Sequence, residues 1–129
     1  MKISIEHVAL WVLDLERIKD FYVTCFGAVA GEKYINAGRS FESYFLTFAS
    51  GGARLEIMTI PGLSRSVLDS RMGLSHVAFA LGSEGAVDSL TARLLADGHT
   101  VLDGPRRTGD GYYESVVLDP EGNRIELTA

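Results

Sequence analysis

Glu6-His7-Val8-Ala9-Leu10 and Ser75-His76-Val77-Ala78-Phe79 are two copies of one short apolar pattern with a histidine at its second position. A second pattern is repeated too, since Arg54-Leu55-Glu56-Ile57-Met58 is answered by Arg124-Ile125-Glu126-Leu127-Thr128. Both patterns recur at nearly the same offset along the 129-residue chain. Self-similarity at a fixed period indicates repeated copies of one structural unit. The chain is therefore predicted to be a duplicated module.

Two histidines and two glutamates hold equivalent places in the two copies, His7 with Glu56 and His76 with Glu126. Each lies in an apolar, strand-like run, where burying a carboxylate costs several kcal/mol unless a partner offsets it. If the first and last strands of each copy are neighbours, each His converges with its Glu. A pseudo-twofold relation then brings both pairs to one point. Two imidazoles and two carboxylates predict a divalent metal site.

The first copy is predicted to follow the order β-α-β-β-β. Residues 3–12 have the composition of a strand, and Asp14 and Gly27 are suited to begin and end a helix. Apolar residues at helical spacing give that helix one buried stripe: Leu15, Ile18, Phe21, Tyr22, Cys25 and Phe26. Three more strands are predicted near residues 29–35, 42–49 and 53–60, with Gly51-Gly52 as the turn between the last two.

The second copy repeats this order after a connector at 61–73. Residues 74–81 are a predicted strand, Ser83 and Gly98 bound a predicted helix, and short strands are expected near 100–102, 112–118 and 124–128. The stripe of this helix is expected to contain Val87, Leu90, Leu94 and Leu95. We therefore expect an α+β fold in one domain, 1–129, with module one at 1–60 and module two at 74–129.

Composition excludes several classes of function. The formal charge of −5 disfavours a nucleic-acid partner, because phosphate binding needs clustered Lys and Arg. No apolar run approaches the roughly 20 residues that span a membrane, so no membrane partner is expected. A lone cysteine, Cys25, rules out an internal disulfide framework and a cysteine-type zinc site. A cytoplasmic protein with a small-molecule partner is the expectation.

Other polar residues are given ordinary roles. Glu32, Glu42 and Glu114 alternate with apolar neighbours and are predicted to be solvent-facing charges on strands. His99 directly follows the helix-ending Gly98 and is predicted to be exposed. No Gly-x-Gly-x-x-Gly pattern, phosphate loop or Gly-x-Ser-x-Gly elbow is present.

The whole pattern resembles the vicinal-oxygen-chelate superfamily over nearly the full length of the chain. The resemblance rests on the His7-Val8-Ala9-Leu10 and His76-Val77-Ala78-Phe79 segments, on Leu55-Glu56-Ile57, and on the closing Asp119-Pro120-Glu121-Gly122-Asn123-Arg124-Ile125-Glu126-Leu127. It implies paired βαβββ modules whose mixed, curved sheet forms a metal-centred cup. It also implies a homodimer, because in many short members each cup is built from modules of two chains.

Within that superfamily, the set His, Glu, His, Glu is similar to glyoxalase I. The resemblance then implies that His7, Glu56, His76 and Glu126 bind Ni²⁺, Co²⁺ or Zn²⁺, with Mn²⁺ or Fe²⁺ as alternatives. The expected activity is a metal-dependent lyase or isomerase that moves a proton through an enediolate. A bound metal stabilises the developing charge, and Glu126 first, or Glu56 second, is the candidate general base.

The glutathione part of the resemblance fails at two positions. Glyoxalase I carries an Arg four residues after its first His and an Asn four after its first Glu, where this chain has Trp11 and Ile60. The predicted substrate pocket therefore contains Trp11, Ile60 and, as a possible source of positive charge, Arg54. The substrate has adjacent oxygens, but lactoylglutathione lyase activity is only one option. A non-catalytic drug- or metabolite-binding protein and an iron-dependent extradiol-type dioxygenase stay open.

Overall fold

The computed structural model describes residues 1–65 and 72–129, and the chain divides into two units, Met1–Ser66 and Val67–Ala129. The first unit contains, in chain order, β1 (His7–Trp11), α1 (Leu15–Phe26), β2 (Val29–Ala30), β3 (Tyr34–Asn36), a 3-10 turn (Ala37–Arg39), β4 (Phe41–Thr47) and β5 (Arg54–Thr59). The second contains β6 (Val77–Ala80), α2 (Glu84–Ala96), β7 (Val101–Arg107), β8 (Tyr113–Leu118) and β9 (Arg124–Thr128).

Each unit forms its own mixed sheet. In the first the strand order is β1-β5-β4-β2, with β3 also paired to β4, and in the second it is β6-β9-β8-β7. The first and last strands of each unit, β1 with β5 and β6 with β9, are parallel neighbours, whereas the other pairs are antiparallel. The predicted α+β fold of two βαβββ modules is confirmed.

Helix α1 begins and ends where its sequence predicts. The side chain of Asp14 accepts a hydrogen bond of 3.0 Å from the Arg17 backbone N–H, which satisfies one of the open donors of the first turn. Gly27 ends the helix in the left-handed region at a φ of 65°, a conformation that glycine adopts without steric cost. The stripe is buried through Leu15, Ile18, Phe21 and Tyr22.

Helix α2 departs from its predicted stripe. Ser83 caps it as expected, accepting 3.1 Å from the Ala86 N–H. The buried positions, however, are Val87, Thr91 and Leu94, and Leu95 is 62% exposed. Thr91 fits the core because its hydroxyl donates to the Val87 carbonyl at 2.6 Å and lies 2.7 Å from the buried Ser115 hydroxyl of β8.

Strands β1 and β6 start later than predicted, at His7 and Val77 instead of residues 3 and 74. A strand needs a neighbour to pair with, and β5 begins only at Arg54, whose N–H donates 2.9 Å to the Glu6 carbonyl. The residues before Glu6 therefore lie beyond the end of their partner strand. Part of the predicted connector, residues 66–71, lies outside the described residues.

Two other predicted strands changed in length. The run at 29–35 is interrupted and forms β2 and β3, whereas the short run at 100–102 extends into the seven-residue β7. The register of β7 against β8 shifts around Gly104. Gly104 has a φ of +81°, and a Cβ there would lie 2.6 Å from the Glu114 carbonyl oxygen. Only glycine therefore allows β7 to approach β8 at this point.

We expect Gly104→Ala to destabilise the protein, because the added Cβ meets backbone and the left-handed conformation strains any L side chain. The free energy of unfolding should fall by about 1–3 kcal/mol, measured by urea denaturation followed by circular dichroism. Gly109→Ala is the matched control, since a Cβ at Gly109 meets nothing within 4 Å. Equal stability of the two variants would contradict this view of β7.

The hydroxyl pair between α2 and β8 gives a second stability prediction. Thr91→Val leaves the Ser115 hydroxyl buried without this partner, so the free energy of unfolding should fall by about 1–3 kcal/mol. The double variant Thr91→Val, Ser115→Ala removes both groups and should lose less than the single variant. A double variant that loses the sum of both single effects would show that the pair is not coupled.

Candidate metal and substrate site

The predicted His and Glu residues occupy the same strand register in both units. Ala9 of β1 is opposite Glu56 of β5, and Ala78 of β6 is opposite Glu126 of β9. His7 and His76 each lie two residues before that alanine, so each shares a sheet face with its glutamate as a diagonal neighbour. The duplication thus extends to the placement of the candidate ligands, each pair within its own unit.

In the second unit the pair is in direct contact. His76 Nε2 lies 3.2 Å from Glu126 Oε2, and the Glu126 side chain is 23% exposed. The other ring nitrogen, Nδ1, lies 3.2 Å from the Ser75 hydroxyl. Ser75 thus holds Nδ1, and Nε2 faces the Glu126 carboxylate.

In the first unit the histidine contacts neighbouring side chains instead of its glutamate. Within the described residues, His7 and Glu56 form no ion pair. His7 Nδ1 contacts the Glu6 carboxylate, which also accepts 2.8 Å from Arg54 Nε. The His7 ring meets the edge of Phe45 at 5.3 Å between centroids. The hydrogen bonds from His7 and then Arg54 lower the pKa of Glu6. Glu6, Arg54 and Phe45 together orient His7 and leave its Nε2 available.

A pocket of about 350 Å³ opens beside the second pair. His76 and Glu126 form part of its wall, and the remaining lining residues are Ala78, Asp110, Tyr112, Glu114 and Thr128. The buried Thr128 hydroxyl has no hydrogen-bond partner among the described residues. Buried polar groups are nearly always paired, so this hydroxyl has capacity for a water molecule or a ligand.

Glu114 corrects a sequence prediction, because it faces this pocket instead of solvent. Burial, and next the negative charge of Glu126, raise the pKa of Glu114. The turn at 119–123 contains the sequence signal for this placement of Glu114. Antiparallel pairing across it sets Glu114 opposite Thr128 and Val116 opposite Glu126, so Glu114 and Glu126 must share a face.

The loop between β7 and β8 places Asp110 and Tyr112 at the pocket. The Thr108 hydroxyl contacts the Asp110 carboxylate and accepts 2.9 Å from the Tyr112 N–H. Next to it, Tyr113 O–H donates 2.5 Å to Asp88 of α2, and this bond, followed by burial, raises the pKa of Tyr113. In the first unit Tyr44 makes the same kind of link, donating 3.0 Å to Glu16 of α1. A tyrosine of β4 in the first unit and of β8 in the second thus links the sheet to the helix.

The predicted substrate residues Trp11, Ile60 and Arg54 lie in the first unit. Trp11 ends β1 and is 48% exposed, Ile60 follows β5, and Arg54 is engaged by Glu6. None of them lines the pocket described above. Their role in substrate binding stays a prediction.

The described residues contain neither a preformed metal-binding group nor a membrane-spanning helix. Within residues 1–65 and 72–129, no group of three or more His, Cys, Asp or Glu side chains is arranged to hold a metal ion. The four-residue metal site therefore stays a prediction. Over the same residues, neither helix has the length and apolar character needed to cross a membrane.

Known proteins are similar to this chain over nearly its whole length. The chain is 29% identical over 130 residues to YqjT of Bacillus subtilis (strain 168), an uncharacterised protein, covering 95% of this chain and 96% of that protein. A glyoxalase family protein from Enterococcus faecalis is similar at a TM-score of 0.81 and 23% identity, covering 98% and 97% of the two chains. The trypanothione-dependent glyoxalase I of Leishmania major is similar at a TM-score of 0.77 and 23% identity. The match covers 98% of this chain and 86% of that one.

These two structural likenesses are below 25% identity and show the fold alone. The family itself is shown by a sequence model that matches residues 4–127, nearly the whole chain. The resemblance drawn from the repeated His and Glu segments is confirmed. The chain belongs to the Glyoxalase/Bleomycin resistance protein/Dioxygenase superfamily.

Proposed function

We propose that this protein is a metal-dependent lyase or isomerase of the glyoxalase I type, acting by proton transfer on a small substrate with two adjacent oxygens. One observation carries the proposal. The His–Glu pair recurs at the same strand register in both units, and in the second unit it lies 3.2 Å apart on the wall of a pocket. A purely structural sheet gives no reason for the same polar pair to stand at the same register twice.

His7, Glu56, His76 and Glu126 are the proposed ligands of one divalent ion, Ni²⁺, Co²⁺ or Zn²⁺. The donor set fits such an ion, because imidazole suits these metals and two carboxylates neutralise a dication. The hydrogen-bonding state of both histidines fits as well. Glu6 and Ser75 hold the two Nδ1 atoms, so each Nε2 is available for a metal. When bound, the ion supplies Lewis acidity to the two substrate oxygens.

Glu126 is the proposed general base, with Glu56 as the second candidate. Glu126 is mostly buried and faces the pocket beside His76, so it can reach a carbon-bound proton of a substrate held there. Removing the proton at one carbon and returning it at the next completes an isomerisation. The Tyr112 ring lines the same pocket.

The substrate differs in this proposal from a plain glutathione adduct. Trp11 and Ile60 replace the two polar residues that the glyoxalase I pattern uses for glutathione, and Trp11 is half exposed on the first unit. Half-exposed aromatic rings favour an apolar or aromatic substrate. They also favour the second candidate function, a binding protein that holds a planar drug or metabolite without turnover.

The metal site is tested first by metal content. Purified protein loaded with Ni²⁺, Co²⁺ or Zn²⁺ should hold one ion per chain, measured by elemental analysis after removal of free metal. His76→Ala should lose more affinity than the roughly 10- to 100-fold that follows loss of a supporting hydrogen bond, because a direct ligand is removed.

His99→Ala is the matched control, since His99 is the third histidine and lies outside both pairs. The mass of the loaded protein, measured by light scattering, tells whether one chain or a homodimer carries the ions. Equal metal content in His76→Ala and His99→Ala would contradict the proposed site.

Catalysis is tested with a methylglyoxal–glutathione assay beside glutathione-free vicinal dicarbonyl substrates, each with several divalent ions. Activity should depend on the metal, and Glu126→Gln should lower kcat by about 10²- to 10⁴-fold, the usual contribution of a general base. Metal content must be measured for the variant, so that loss of the ion is not mistaken for loss of the base.

Three other results would point elsewhere. Full activity in metal-loaded Glu126→Gln would exclude Glu126 as the base. Oxygen consumption on Fe²⁺ loading would favour a dioxygenase. Ligand binding that is equal with and without metal, and without turnover, would favour the non-catalytic binding protein.

A further inference from the structure

Four side chains of the first unit form a group that we call the aromatic cluster: Trp11, Tyr34, Arg39 and Phe41. The Phe41 ring lies at its centre. Its centroid is 6.2 Å from that of Trp11 at an interplanar angle of 87°, and 6.0 Å from that of Tyr34 at 63°. The Arg39 guanidinium lies over Phe41 at 5.6 Å from the ring centroid. These separations are those of favourable aromatic and cation–π contacts.

The sheet register places the cluster on the same face as the proposed metal ligands of the first unit. Trp11 is opposite Met58, Met58 is opposite Ser43, and Ser43 is opposite Tyr34, which makes one row across four strands. Met58 lies two residues beyond Glu56 on β5, so it points to the same face, about 7 Å further along the strand. Phe41 lies two residues beyond Ser43 on β4, about 7 Å further again.

The cluster is open to solvent although its rings are apolar. Trp11 is 48% and Tyr34 is 55% exposed, whereas Ser43, the small residue between their strands, is buried. Because Ser43 is already covered, a flat group would lie against the exposed surfaces of the two rings and not between them. Large rings held in mutual contact but left half uncovered are typical of ligand sites.

The positive charge of Arg39 determines which kind of ligand group the aromatic cluster can bind. Arg39 makes no ion pair within residues 1–65 and 72–129, so its guanidinium N–H groups are available for an acceptor. The guanidinium lies over the Phe41 ring, and its positive charge repels a second cation. A guanidinium binds a carboxylate by two parallel hydrogen bonds, and the rings offer edges and faces to an aromatic group.

We propose that the aromatic cluster is a subsite for the aromatic, anionic end of the substrate, an aryl carboxylate or a similar acid. In this arrangement the adjacent oxygens of the substrate lie near Glu56 and the aryl acid lies about 7–14 Å away along the sheet. This assignment rests on the proposed function only in calling the ligand a substrate. The binding chemistry itself belongs to four residues that hold no metal.

Trp11 is the only tryptophan of the chain, so its fluorescence reports on the cluster directly. Metal-free protein is titrated with three matched probes: phenylacetate, cyclohexylacetate and benzylammonium. The first combines ring and negative charge, the second keeps the charge without the aromatic ring, and the third keeps the ring with the opposite charge. Phenylacetate should bind at least about tenfold more tightly than benzylammonium, as expected from a charge-assisted hydrogen bond. It should also bind more tightly than cyclohexylacetate, because aromatic pairs add to the energy of burying an apolar ring.

Two variants separate the contributions of charge and ring. Arg39→Gln should remove the preference for phenylacetate over benzylammonium, and Phe41→Leu should weaken the preference over cyclohexylacetate. Arg17→Gln on α1 is the control for loss of an exposed positive charge, and it should bind phenylacetate as the wild type does. Circular dichroism of each variant checks that the fold is intact.

Several outcomes would overturn the subsite. Equal affinity for the three probes would show that the cluster does not bind an aryl acid selectively. An unchanged preference of Arg39→Gln for phenylacetate over benzylammonium would show the same. If Trp11 fluorescence does not change when a probe is added but changes with protein concentration, a second copy of the chain covers this face. Probe binding without metal-dependent turnover would leave the subsite standing and refute the proposed function, whereas turnover without probe binding would do the reverse.

Discussion

Parallel pairing between the first and last strands of each module is the constraint on which the rest of this structure depends. In both modules the strand that begins the unit lies beside the strand that ends it, β1 with β5 and β6 with β9. The pairing also has the same register, with an alanine two residues after the histidine opposite the glutamate. Because side chains alternate between faces, a slip of one residue would move these side chains to the helix-covered face. The register therefore decides whether a polar pair exists at all.

Once the pair is on the open face, neighbouring residues determine how each histidine is oriented. His7 is held by Glu6 and by the edge of Phe45, and Arg54 holds Glu6 in turn. His76 is held by Ser75 and directed at Glu126. The two modules thus use different residues for the same purpose, as expected when duplicated units diverge but keep one geometry. The two faces differ in the same way, since the first carries aromatic rings with arginines and the second carries carboxylates around a pocket.

Sequence reasoning succeeded where the information is local or repeated. The caps at Asp14 and Ser83 and the stop at Gly27 rest on contacts between residues a few positions apart. It failed where a distant partner decides. Residues 3–6 have the composition of a strand but extend beyond the end of β5, and Leu95 was expected inside although Thr91 takes the inner position by bonding to β8. Glu114 alternates with apolar neighbours as a solvent-facing residue would, and only its register against β9 shows that it shares a face with Glu126.

The amino-acid sequence by itself determined the duplication, the α+β class, the superfamily and the four candidate ligands, because each of these follows from residue identity at a repeated spacing. Only the tertiary structure decided which residues surround those ligands. The pocket of Asp110, Tyr112 and Glu114 depends on a loop and on strand register, and the aromatic cluster joins three strand segments and a short turn. Such groups depend on side chains meeting across paired strands, and no spacing along the chain expresses that distance.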